Sequence, residues 1–267
     1  MFAASRFVMI MDTKRSISPE ALGPLLLDIG ASLLQSGASS KRVYITMKRM
    51  AAVSSYEPHI AIGPHAVALT LNDEGSKTVY SATHDIPAIG VNFKIISGIS
   101  RMSWDFVETT INLDQARAEL ERLEQLPHYS RWLILPLVAL AGSAFCFTFG
   151  GGWQEMMITF GATFFGLFLK QELVRKKFNA YIVTFLSAFA AAVFTGLAFK
   201  MGFGQQVEHA LSTCVLFLVP GVPLIISFTD LVDGYIINGI HRGINALMHA
   251  MAIAFGLALT LYLLNLH

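Results

Sequence analysis

Between Asp230 and Arg242 the sequence gathers Asp230, Asp233, Asn238, His241 and Arg242 within a region that is otherwise largely apolar. An aspartate can take up and return a proton once burial raises its pKa, and a histidine already titrates near neutrality. An arginine can hold a carboxylate in a bidentate fork. Proton relay and carboxylate binding are therefore the chemistry this stretch could do. At about 100° per residue, a continuous helix over 229–249 would bring Gly234, Asn238, His241, Arg242, Asn245 and His249 to within about 120° of Asp230 on one side, with Asp233 at about −60°. Ile236, Ile240 and Ile244 take the opposite side. A charge at the bilayer centre costs at least a few kcal/mol, so such a face must meet a cavity or a partner. The competing reading is a connector helix that is wet on that face because it lies outside the lipid.

The element that must position these groups is the apolar run before them. Ala210 to Phe228 carries no charge, and it is interrupted by Pro220-Gly221-Val222-Pro223. Each proline removes a backbone donor and clashes with the preceding turn, while Gly221 eases the bend. A membrane helix broken at mid-depth leaves backbone groups unpaired, which is tolerated only within protein or beside a wet cavity. Secondary transporters build their sites from such discontinuous helices. A proline kink that only shapes packing is the alternative.

Charge divides the chain. Of 19 Lys/Arg and 18 Asp/Glu over 267 residues, 13 and 13 fall before Trp132 and only 6 and 5 after it. This predicts an N-terminal α+β domain over residues 18–131 and a transmembrane domain over 132–267, with residues 1–17 as a flexible arm rather than a signal peptide. A net charge of +1 with no basic stripe excludes a nucleic-acid partner. Cys146 and Cys214 lie in apolar runs and read as buried small hydrophobes.

In the N-terminal half, apolar residues at Leu22, Leu25, Leu26, Ile29, Leu33 and Leu34 recur with a helical period, with Ser18 as N-cap and Gly37 just past the end. A second helix is expected over Ala38 to Val53, with Lys41, Arg42, Lys48 and Arg49 exposed. Alternation around Ile60, Ile62, Val67, Leu69 and Leu71 predicts two or three antiparallel strands, and Ile99 to Leu126 reads as helical again. His59, His65 and His84 lie near the strands without a carboxylate or cysteine at ligand spacing. No Walker, G-x-S-x-G or H-E-x-x-H motif occurs, so neither an enzyme nor a metal or cofactor site is expected.

Five spans are predicted, at Trp132–Phe149, Trp153–Leu169, Ala180–Phe199, Ala210–Phe228 and Ile244–Leu264, each near the length a hydrocarbon layer of about 30 Å requires. Trp132 and Trp153 read as interfacial anchors. Arg131, Lys170, Arg175, Lys176, Lys177 and Arg242 fall on one side, so the positive-inside rule places the N-terminal domain in the cytoplasm and the C-terminus outside. Small residues at Ala139, Ala141, Gly142, Ser143 and Ala144, and again at Ser187, Ala188 and Ala190 to Ala192, allow close helix packing.

The segment LVPGVPLIISFTDLVDGYIINGIHRG resembles the signature of the threonine/serine exporter family, and the whole chain resembles the larger subunit of its split, two-polypeptide branch, of the inner-membrane succinate exporter type. SRWLI at Ser130–Ile134, GGWQEMMITF at Gly151–Phe160 and LLQSGASSKRV at Leu33–Val43 support the resemblance over roughly residues 20–265. It implies a polytopic α-helical protein of a bacterial inner membrane, with an N-terminal cytoplasmic α+β domain and a periplasmic C-terminus. It also implies export driven by the proton-motive force, no cofactor, a smaller all-membrane partner subunit and an oligomeric assembly. Carried over, the motif places Pro220, Gly221 and Pro223 in the helix break and Asp230, Gly234 and Arg242 among the polar positions that matter. It carries Ile225-Ile226-Ser227 where the family often has an asparagine, which loosens the substrate inference between a dicarboxylate and threonine or serine. The alternative class is a membrane-anchored sensor whose α+β domain binds a ligand.

Overall fold

The computed structural model describes residues 16–86, 90–127 and 129–265. They fall into two compact units, the described residues of Met1–Pro127 together with Val222–Gly243, and those of His128–Gly221 together with Ile244–His267. The charge boundary at Arg131–Trp132 thus lies within a few residues of a division in the chain, but residues 222–243 group with the first unit.

In the first unit, α1 (Pro19–Gln35) and α2 (Ser40–Ala51) precede a three-stranded antiparallel sheet of β1 (Glu57–Ile62), β2 (Ala66–Asn72) and β3 (Thr78–Asp85) in the order β1-β2-β3. The apolar period of α1 buries Leu22, Leu25, Leu26 and Ile29 completely, and the alternation of β2 buries Val67, Leu69 and Leu71 on the same core. α1 ends in a Schellman turn, in which Ala38 N–H donates to Leu33 O and Gly37 N–H to Leu34 O. Gly37 sits there at φ 83°, a conformation that disfavours a Cβ. Residues 1–15 of the expected arm lie outside the described residues, while Ile17 packs against the core.

The last helical stretch begins earlier than Ile99 and is divided. α3 (Phe93–Val107) starts at an Asn92 cap, and α4 (Leu113–Glu124) starts at a capping box in which Asn112 and Gln115 exchange bonds of 2.9 Å. The Asn-x-x-Gln spacing of that box starts α4, while α3 stops earlier in a turn where Thr110 N–H donates to Asp105 O and Thr109 sits at φ 64°. Arg49, expected to be exposed, is half-buried with its guanidinium 4.1 Å from the centre of the Trp104 ring.

The second unit holds α5 (Arg131–Thr148), α6 (Trp153–Arg175), α7 (Ala180–Lys200) and α8 (Val207–Cys214), followed by a 3₁₀ turn (Leu216–Leu218). Among the described residues, four helices are long and apolar enough to cross a membrane: α5, α6, α7 and α10 (Ile236–Leu264). The count rises to five if Val207–Leu218 and α9 (Gly221–Val232) form one bent span, broken at Val219 and Pro220. The chain is thus a mostly helical, multi-pass membrane protein with a small N-terminal sheet. Of the small-residue runs, Ala139, Ala188, Ala191 and Ala192 are fully buried as close packing requires, whereas Ala141 and Ala144 are exposed. Cys146 and Cys214 are buried free thiols.

Candidate functional site

The polar stripe does not lie on one continuous helix. α9 stops at a second Schellman turn: Tyr235 N–H donates to Asp230 O at 2.8 Å and Gly234 N–H to Leu231 O at 3.2 Å, with Gly234 at φ 88°. α10 begins two residues later. Asp230 therefore belongs to α9, Asp233 to its end, and Asn238, His241 and Arg242 to α10. Among the described residues nothing lies within 4 Å of where a Cβ on Gly234 would be, so a side chain there meets backbone strain alone. Gly234→Ala is expected to cost roughly 1–2 kcal/mol and Gly234→Asn less, read as a shift in thermal unfolding.

Asp230 is completely buried. Its Oδ1 accepts the Ser40 N–H at 2.8 Å, and its Oδ2 accepts the Ser40 hydroxyl at 3.1 Å and faces Arg242 Nη1 at 3.2 Å. Ser40 is the first residue of α2, whose opening amides have no partner within the helix and carry the positive end of its dipole. An aspartate 190 residues away in the chain thus caps that helix. Arg242 Nη1 also donates to Ala38 O at 3.0 Å. Asn238 Nδ2 donates to the Ser40 hydroxyl at 2.9 Å and to Ile62 O at 3.1 Å. The α1–α2 corner, stopped by Gly37, is thereby joined to the α9–α10 corner, stopped by Gly234. The Ser227 hydroxyl ties α9 to α10 by donating to Gly239 O at 2.7 Å.

At the edge of this network Lys41 Nζ meets Asp233 Oδ1 at 2.6 Å, and the His65 and His241 rings lie edge to face at 4.9 Å. The hydrogen bond to Asp233, with its negative charge, raises the Lys41 pKa above 10.5. Because the folded value is raised, the contribution of the pair is fully present below the ordinary lysine pKa and is lost as pH rises through the raised one. The difference in melting temperature between wild type and Lys41→Met is expected to stay constant from about pH 6 to 9 and to close only at more alkaline pH.

Asp230, Asp233, Asn238 and Arg242 therefore face partners on α2, the α1–α2 corner and β1, whereas Asn245 and His249 of the expected stripe meet Tyr181 and Thr184 of α7 instead. Arg242 engages Asp230 and a backbone carbonyl of its own chain. Pro220 and Gly221 stand at the break between the 3₁₀ turn and α9, and Pro223 lies in the first turn of α9. Sequence reasoning missed Ser40, Ala38 and Ile62, although LLQSGASSKRV contains Ala38 to Lys41. It also missed Glu155, buried in α6, whose Oε1 accepts the amides of Gln205 and Gln206 at 2.7 and 3.1 Å. Of the three histidines near the strands, His84 Nδ1 meets Asp28 of α1 at 3.2 Å, and among the described residues no group of three or more metal-ligating side chains forms.

A family model described as "Putative threonine/serine exporter" matches residues 24–264. The chain is 28% identical over 244 residues to the "Probable succinate transporter subunit YjjP" of Escherichia coli, a match covering 90% of this chain and 94% of that protein. It is 26% identical over 243 residues to the protein of the same description from Klebsiella aerogenes, covering 90% and 93%. It is also similar to "Pheromone-regulated membrane protein 10" of Debaryomyces hansenii, 25% identical over 236 residues, which are 85% of this chain and 23% of that longer protein. No solved structure matches it.

Proposed function

The chain belongs to the threonine/serine exporter family, and from that premise we propose that it is one subunit of a secondary exporter, driven by the proton-motive force, for small carboxylate metabolites. A succinate-like dicarboxylate is the first substrate class and threonine or serine the second. The observation that carries the reading is the bent, discontinuous span at Val219 and Pro220 in a chain of this family, because a helix broken in lipid needs a cavity or a ligand to receive its backbone groups. The similarity to proteins described as transporter subunits supports a smaller membrane partner in the same bacterial inner membrane. In this reading the N-terminal domain is cytoplasmic, the C-terminus periplasmic and the assembly oligomeric.

Pro220, Gly221 and Pro223 hold the break, and the opening amides of α9 offer the positive end of a helix dipole to a carboxylate. The corner that carries Asp230, Asp233, Gly234, Asn238, His241 and Arg242 couples protons to transport. Asp230 exchanges a proton only when this corner parts from α2, since three donors otherwise cover its carboxylate.

The test is efflux of labelled succinate and labelled threonine from proteoliposomes under an imposed pH gradient, with this chain alone and with its small membrane subunit. Export of succinate with both chains is expected. No flux of either substrate in either arrangement would overturn the exporter reading in favour of a ligand-sensing role for the N-terminal domain. That second reading draws on a cavity of about 460 Å³ between α3 and α4, lined by Arg101, Asp105, Glu119 and Arg122.

A further inference from the structure

The second unit contains a polar cluster that the break-centred reading leaves unused. Lys170 lies near the end of α6, half-buried, with its ammonium 6.0 Å from the centre of the Phe217 ring. Phe217 sits in the 3₁₀ turn directly before the break. Among the described residues no carboxylate pairs with Lys170, and the neighbouring Glu172 is taken by Arg131 at 2.6 Å and Arg175 at 3.6 Å.

α7 supplies the facing groups. A Cβ on Gly166, one turn before Lys170, would meet the Ala191 methyl at 2.9 Å, the Phe217 ring at 3.0 Å and Ser187 O at 3.2 Å. α6 and α7 are consecutive and antiparallel, so one turn further along α6 is one turn back along α7, toward Ser187 and Thr184. The Ser187 side chain is completely buried, and its hydroxyl has no hydrogen-bond partner among the described residues. The Thr184 hydroxyl meets His249 Nδ1 of α10 at 2.8 Å, and His249 lies within electrostatic range of Lys170. Tyr181 closes this end of the cluster, donating to Asn245 Oδ1 at 2.6 Å with its ring 5.0 Å from that of His249.

A cation withdrawn from water with no counter-charge is costly, and so is a buried hydroxyl without a partner. One ligand answers both. We propose that Lys170, Ser187 and the Thr184–His249 pair form an anion site beside the broken span, which receives a carboxylate group of the transported metabolite. A lysine that served only as an interfacial anchor would direct its ammonium to water; this one lies over a ring of the break. The proposal rests on the exporter reading and adds a substrate site formed by Lys170 from the expected basic loop, Ser187 from a helix-packing run, His249 from the expected polar face, and Thr184.

The test is calorimetric titration of succinate, with threonine for comparison, into the full chain with its small subunit in phosphatidylcholine nanodiscs. Wild type is expected to bind succinate, with at least tenfold weaker binding for Lys170→Gln and partial retention for Lys170→Arg. Ser187→Ala, which removes only the orphan hydroxyl, is expected to weaken binding several-fold at an unchanged melting temperature. Wild-type succinate affinity in both Lys170→Gln and Ser187→Ala would overturn the site. So would a wild type that binds no succinate but gains stability from added phosphatidylglycerol, since Lys170 would then hold a lipid phosphate. Succinate binding by wild type that is lost in Lys170→Gln, without succinate efflux in proteoliposomes, would overturn the exporter reading and leave the anion site standing.

Discussion

Asp230→Asn is expected to destabilise the first unit by about 3–5 kcal/mol, the usual cost of removing one partner from a buried ion pair. Arg242 is only 10% exposed and Asp230 not at all, so solvent does little to screen the loss. The amide can still accept from Ser40 N–H through its oxygen. Its NH₂ group, however, then faces the Ser40 hydroxyl and the Arg242 guanidinium, both of which donate to Asp230 in the native network. Export is expected to be abolished while membrane insertion is preserved. A second variant separates the two effects: Asp230→Asn combined with Arg242→Met leaves no stranded charge and is expected to regain much of the stability without regaining export. Recovery of both stability and transport in the double variant would make Asp230 a purely structural cap for α2. Wild-type transport by the single variant would likewise sink its role in proton coupling. Thermal unfolding in detergent reads the first effect, and efflux under a pH gradient reads the second.

The sequence pattern reveals the helices and spans better than their junctions, for a physical reason. Periodicity reports which face of an element is apolar, and α1, β2 and the apolar spans declare themselves that way. A break beside Pro220 is legible because proline acts on its own backbone, whatever surrounds it, although Gly221 and Pro223, expected within the break, lie in the first turn of α9. Gly234 was read as one member of a polar face, although a glycine between two helical segments also fits a C′ stop, the role foreseen for Gly37. The cap at Asn112 is equally readable from Gln115, but the charged periodicity continues across it and hides the boundary. The pairing of Asp230 with Ser40 is a different matter. It joins positions 190 residues apart, and no local pattern encodes which buried donor a carboxylate will meet. The length of α10 helps to explain the outcome: its 29 residues extend about 44 Å, against about 30 Å of hydrocarbon. Its first turns, Ile236–Gly243, group with the first unit, and these carry Asn238, His241 and Arg242.

Gly256→Leu is expected to cost about 2–4 kcal/mol, from overpacking plus the loss of interhelical hydrogen bonds. Even the Cβ of an alanine there would come to 2.9 Å from Phe189 N, 3.0 Å from the Ala188 methyl and 3.0 Å from Phe185 O. Two of these atoms are backbone and cannot rotate aside, so α7 and α10 must separate. The pairs Tyr181–Asn245, Thr184–His249 and Phe189–Thr260 advance in the same direction along both helices, which makes α7 and α10 parallel neighbours through this contact. Separation therefore stretches the hydrogen bonds that hold His249 and Asn245 in the polar cluster. Phe255→Ala, next in sequence but with its side chain 61% exposed, is expected to change stability far less. If the anion site depends on this packing, Gly256→Ala should weaken succinate binding even where the protein still folds, and Phe255→Ala should not. Equal stability and binding in Gly256→Leu and Phe255→Ala would mean that α7 and α10 are not in backbone contact, and the placement of His249 against Thr184 would fall with it.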